Sequence, residues 1–190
     1  MEKTKTLLAI MFTLTLACGL LFTVACTPYQ PPIAQMVNAF QESELEPYAK
    51  PGTATITGQA FLKTRGGEVK YGAACEVILW PATPYFEERF DIIYLKKNKN
   101  GWPAFTVPEM DEDAKNKLPT YERTTIADGF GNFEFKNLPA GKYLLRCSIA
   151  WEVPATSTYV ILGLNKTGGT AFAKATVSEG ETVKVIVTIL

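Results

Sequence analysis

From Thr53 onward, apolar and polar residues alternate with a period of two. Ala54, Ile56, Gly58, Ala60 and Leu62 share one phase, and Thr53, Thr55, Thr57, Gln59 and Phe61 share the other. Successive side chains of a strand point to opposite faces, so this pattern predicts a half-buried strand. The inward phase returns at Cys75, Val77 and Leu79, before Pro81 and Pro84 stop the run. It returns again at Phe133 and Phe135, and at Tyr143, Leu145, Cys147 and Ile149. Further strands are expected over 156–162, 170–177 and 182–190. Turn formers at 65–68, 137–141, 163–169 and 178–181 separate these segments. Short alternating strands joined in this way predict an all-β, antiparallel β-sandwich over residues 53–190.

The first 52 residues follow another pattern. Lys3 and Lys5 precede a nearly charge-free run from Leu7 to Ala25, and Cys26 is followed by Thr27, Pro28, Tyr29 and Gln30. A positive start, an apolar stretch and a small residue at the cut describe a secretory signal over residues 1–25. Ala25 beside Cys26 resembles the cleavage site of bacterial lipoproteins, in which the cysteine becomes an acylated (palmitate-type) N-terminus. Thr23 stands where that pattern favours leucine. A plain signal peptide and an uncleaved apolar anchor are the other readings of the same run. Residues 26–52 then form a lipidated tether. Within it Ile33, Met36, Val37 and Phe40 recur at helical spacing, which predicts either a short amphipathic helix over 34–44 or an extended linker.

Composition narrows the function. With 19 basic and 19 acidic residues the chain is neutral, so it lacks the basic face that a nucleic-acid partner requires. Its 0 histidines exclude Ser-His-Asp and Cys-His catalysis in their usual forms. They also remove the commonest zinc ligand. No cofactor is expected.

Several runs carry a family resemblance. These are Thr57-Gly58-Gln59-Ala60, then 73–79, then Asp128-Gly129-Phe130-Gly131-Asn132-Phe133-Glu134-Phe135, then Leu138-Pro139-Ala140-Gly141-Lys142-Tyr143. Together they resemble the carboxypeptidase regulatory-like domain, which is similar to transthyretin in fold. The resemblance implies a Greek-key sandwich of about seven strands and an accessory or adhesive role without catalytic residues. In the 128–143 run, Asp128 is expected to cap a turn and Gly131 to supply its positive φ.

The chain departs from that family at an insertion over 81–123, rich in aromatic and charged residues. Long connections in compact domains are functional or disordered, and aromatic content argues against disorder. Tyr85, Phe86, Trp102 and Phe105 are the expected binding patch, because such residues anchor interfaces. Glu87, Glu88, Asp111, Glu112 and Asp113 offer the alternative, a small hydrolase or carbohydrate-acting enzyme built on loop carboxylates. Cys75 and Cys147 share the inward phase of two strands. In an oxidising compartment they are expected to bond, the alternative being two free core thiols. The whole reads as a non-catalytic envelope lipoprotein, held to a membrane and facing an envelope protein or glycan. Thr27, where an Asp would resemble an inner-membrane retention signal, points to the outer membrane.

Overall fold

The computed structural model of the chain describes residues 30–156 and 161–189. The signal segment and Cys26 lie outside them. Eight strands form two four-stranded sheets. The first sheet is centred on β1 (Ala54–Lys63), which pairs antiparallel with β2 (Val69–Tyr71) and β5 (Asn132–Leu138). Its remaining partner, β8 (Thr182–Val187), runs parallel to β1, with Ile56 opposite Val183 and Ala60 opposite Val187. In the second sheet, β4 (Arg123–Ile126), β3 (Glu76–Pro81), β6 (Gly141–Thr156) and β7 (Ile161–Val177) follow in that order, all antiparallel.

The inward phases read from the sequence meet between these sheets. Ile56, Leu62, Val77, Leu79, Phe133, Leu145 and Val187 are buried in one cluster. A disulfide joins Cys75 and Cys147, whose Cα atoms lie 6.5 Å apart. The turn before β5 is built as its residues suggest. Asp128 Oδ1 accepts from the N–H groups of Phe130 and Asn132, both at 2.8 Å, and Gly131 adopts φ +78°.

Three expectations change. Residues 163–169 are strand, not turn. Asn165 pairs with Val153 and Gly169 with Ile149 in one long antiparallel ribbon of β6 and β7. The strand expected over 156–162 falls largely outside the described residues. The 34–44 helix is absent from the structure. Glu88 accepts the N–H groups of Val37 and Asn38, at 2.9 and 2.8 Å, and takes up donors that a helix would turn onto its own carbonyls. Ile33 instead bridges Thr106 as in a parallel strand pair, and a 3₁₀ helix follows at Glu42–Tyr48. The stretch read as tether is therefore folded from Pro31 onward, within the same compact unit as the sandwich. Among the described residues no helix is long and apolar enough to cross a membrane.

Candidate functional site

The second sheet is covered on both faces. Its inner face meets the sandwich core, and its outer face carries Trp80, Leu144, Arg146 and Phe172. Leu144 and Phe172 are buried beneath a lid. The lid is made by the insertion. Helix α1 (Pro84–Phe90) begins on Thr83, whose hydroxyl accepts from the Phe86 N–H, with Pro84 at the first position. Proline suits that position because the first turn needs no amide donor. One π-helical turn, Asp91–Leu95, prolongs the helix. Helix α2 (Glu112–Tyr121) is capped by Asp111, which accepts from Asp113 and Ala114. Phe40 and Leu45, from the segment before the sandwich, pack into the same cluster.

This lid corrects the expected binding patch. Tyr85 and Phe86 are 4% and 5% exposed, whereas Trp102 and Phe105 are 69% and 38% exposed. Tyr85 and Phe86 lie on the inner side of α1. Phe40 meets both of them edge-to-face, with ring centroids 5.8 and 6.0 Å away. The Tyr85 hydroxyl also accepts from the Asp111 N–H at 2.8 Å. The two residues hold the lid shut and cannot serve as surface anchors. Trp102 sits on a small hairpin, where Asn98 accepts from the Trp102 N–H and donates to its carbonyl.

Glu87, Glu88, Asp91 and Asp111 of the insertion are engaged in holding the fold, and Asp113 stays an exposed first-turn residue of α2. Glu87 accepts from Lys174 Nζ at 2.9 Å, and Asp91 Oδ1 is ion-paired with the same ammonium at 2.7 Å. Burial of Lys174 disfavours its charge, but the bonds to Asp91 and Glu87 outweigh this and hold its pKa above the ordinary value. Glu88 binds the preceding segment, Asp111 caps α2, and Glu112 lies 3.6 Å from Lys115. Among the described residues no group of three or more metal-ligating side chains converges.

Beneath the lid is a cavity of about 200 Å³, lined by Trp80, Arg89, Phe90, Tyr94, Met110 and Arg146 among others. Tyr94 stacks on Phe172 with centroids 4.9 Å apart and meets Phe90 at 4.8 Å. The Arg146 guanidinium lies over the Trp80 ring, 5.1 Å from its centroid. The indole N–H of Trp80 donates to Glu122 Oε2, which fixes the ring's orientation. Arg89, itself buried, donates to the carbonyls of Pro108 and Glu109 at 2.8 and 3.3 Å. Among the described residues neither arginine has an ion-pair partner within 4.0 Å. Among the described residues no acidic side chain lines the cavity. The buried Nε of Arg146 has no hydrogen-bond partner.

None of these lining residues belongs to the patch expected from sequence except Phe86. The signal was nonetheless present. Val77-Ile78-Leu79-Trp80 and Tyr143-Leu144-Leu145 are unbroken apolar runs. A strand that faces solvent on one side alternates, and one covered on both sides does not.

No family profile and no curated protein matches the chain. Its fold is similar to a crystal structure of a candidate carbohydrate-binding protein from Pseudomonas aeruginosa. The two share 26% identity and a TM-score of 0.60, over 80% of this chain and 98% of that one. A chlorocatechol 1,2-dioxygenase from Pseudomonas putida aligns over 86% of this chain and 68% of its own, but at 8% identity and a TM-score of 0.25. That second likeness carries no weight for fold or function.

Proposed function

We propose that this chain is a non-catalytic, lipid-anchored envelope protein whose β-sandwich is a carbohydrate-binding module of carboxypeptidase regulatory-like type. The observation that carries the reading is the lidded cavity on the second sheet, in a fold that matches nearly all of a candidate carbohydrate-binding protein. Aromatic rings beside guanidinium donors suit a sugar, whose C–H faces need apolar contact and whose oxygens need fixed donors. The non-catalytic part is supported by Glu87, Glu88, Asp91 and Asp111 of the insertion, which are committed to Lys174, to α2 and to the N-terminal segment. The anchor is supported by the charged start, the apolar run and Ala25-Cys26. Attachment through Cys26 would keep the module at a membrane, since multiple acyl chains bind far more firmly than one. The kinship is supported by the 128–143 run, whose Asp128 turn has the geometry its residues imply.

Titration calorimetry of detergent-solubilised full-length protein against a panel of envelope sugars tests the binding function. Saturable binding that is weakened in Trp80→Ala supports it, and absence of binding across the panel overturns it. Mass spectrometry of the mature N-terminus tests the anchor. The expected species begins with a diacylglyceryl-modified Cys26, and an unmodified N-terminus elsewhere refutes it.

A further inference from the structure

The charge of the cavity specifies more than its shape does. Three cations lie closest to the cavity, and of these Lys174 is paired with Glu87 and Asp91. Among the described residues, Arg89 and Arg146 line the cavity with no carboxylate within 4.0 Å, and no acidic residue contributes to the lining. Arg89 is buried and already donates to two backbone carbonyls, whereas Arg146 is half-buried, with its Nε enclosed in a largely apolar site, so a bound carboxylate would find a partly desolvated guanidinium there. Arg146 is also held ready. It stands in the middle strand of its row, between Ile78 on β3 and Phe172 on β7. Trp80 supports its planar face, and its Nε donor is buried without an acceptor. A guanidinium presents parallel N–H donors that match the two oxygens of a carboxylate.

We infer that the cavity beneath the α1 lid selects a carboxylate-bearing sugar, of the uronic-acid class, with the carboxylate on Arg146. This rests on the carbohydrate reading above and names the ligand class of the same site. The ring would lie among Phe90, Tyr94 and Met110, which offer apolar contact without competing charge. Arg89 adds a second positive charge but is already bound to two backbone carbonyls, so it acts through its field. The small volume suits one ring, well below the size of pockets that enclose drug-sized molecules.

The test uses the full-length protein in detergent, with D-glucuronate and D-galacturonate against D-glucose and D-galactose. Acetate serves as a control, and calorimetry reads the affinity. The uronates are expected to bind at least about tenfold more tightly than their neutral parents, a difference of about 1.4 kcal/mol. R146Q should erase that difference. R146K keeps the charge and loses the fork, and should retain only part of it. Folding of each variant is checked by circular dichroism. Equal affinity for uronates and neutral sugars overturns this inference and leaves the carbohydrate reading intact. Uronate preference that survives undiminished in folded R146Q also overturns it, by placing the carboxylate elsewhere. Acetate binding as tight as uronate binding overturns the sugar part. Failure of every sugar to bind removes the carbohydrate reading itself.

Discussion

Reducing the Cys75–Cys147 bond should destabilise the fold by an amount that the chain length fixes. The bond joins residues 72 apart. In the chain-entropy account, closing a loop of that length removes about 15 cal/mol/K from the unfolded ensemble, or about 4.4 kcal/mol at 25 °C. Most of that difference arises in the unfolded state, because Val77 already pairs with Cys147 through the β3–β6 ladder. Cys75→Ala is the cleaner perturbation, since it leaves the fully buried Cys147 in place and alters only the half-buried partner. Urea unfolding of the oxidised protein and of Cys75→Ala reads the effect. The expected loss is about 3–4.5 kcal/mol, which for a chain of this size corresponds to a fall in Tm of about 6–18 °C. The m-value should rise in the variant, because an uncrosslinked unfolded chain exposes more surface. A loss below about 1 kcal/mol with an unchanged m-value would refute the reasoning. It would mean that the bond does not constrain the unfolded chain.

Two further outcomes test the turn and the lid. Gly131→Ala should destabilise by more than about 2 kcal/mol in the same urea assay, since φ +78° disfavours a side chain and its Cβ would stand 2.3 Å from the Ala60 carbonyl oxygen. The Asn38 and Val37 N–H groups hold the Glu88 carboxyl below its usual pKa. A lowered folded pKa means that the contact stabilises the fold above the unfolded value and is lost as pH falls through the folded value. Protection factors of the Val37 and Asn38 amides, the intrinsic rate at each pH divided by the observed one, should therefore fall on acidification. The fall should be smaller in Glu88→Gln, and identical protection-factor profiles against pH for the two proteins would refute the assignment.

The sandwich was legible because one face of most strands is wet. In β1 and β5 the alternation of Ile56 with Thr57, or of Phe133 with Glu134, reports the core directly. The disulfide was legible for the same reason, since Cys75 and Cys147 share the phase of Val77 and Leu145. Residues 163–169 misled because Gly163, Gly168 and Gly169 mark turns only when no partner strand is available. Here β6 continues alongside, and Gly168 gives room for the Ile149 carbonyl, which a Cβ would meet at 2.1 Å. The parallel pairing of β1 with β8 had no local signal, because it joins the two ends of the domain.

The lid was harder to read, for a reason that bears on the site. Residue type marks an aromatic as a good anchor but does not tell which side of its helix is covered. Tyr85 and Phe86 satisfy both a binding reading and a packing reading, and only Phe40, far upstream, decides between them. The decisive signal lay in the strands below. Trp80 and Leu144 fall in the phase that should be polar if β3 and β6 faced water, so their presence requires a cover. Arg146 occupies the same phase, half-buried, with its Nε enclosed and its guanidinium over the Trp80 ring. The lid's acids could have matched it, but Glu87 and Asp91 turn to Lys174 and Glu88 to the N-terminal segment. What remains under the lid is positive charge with aromatic walls. A cover built solely to protect Leu144 and Phe172 has no need of a guanidinium at position 146, whose Nε is enclosed without an acceptor. The arginine there is intelligible if something negative completes the site.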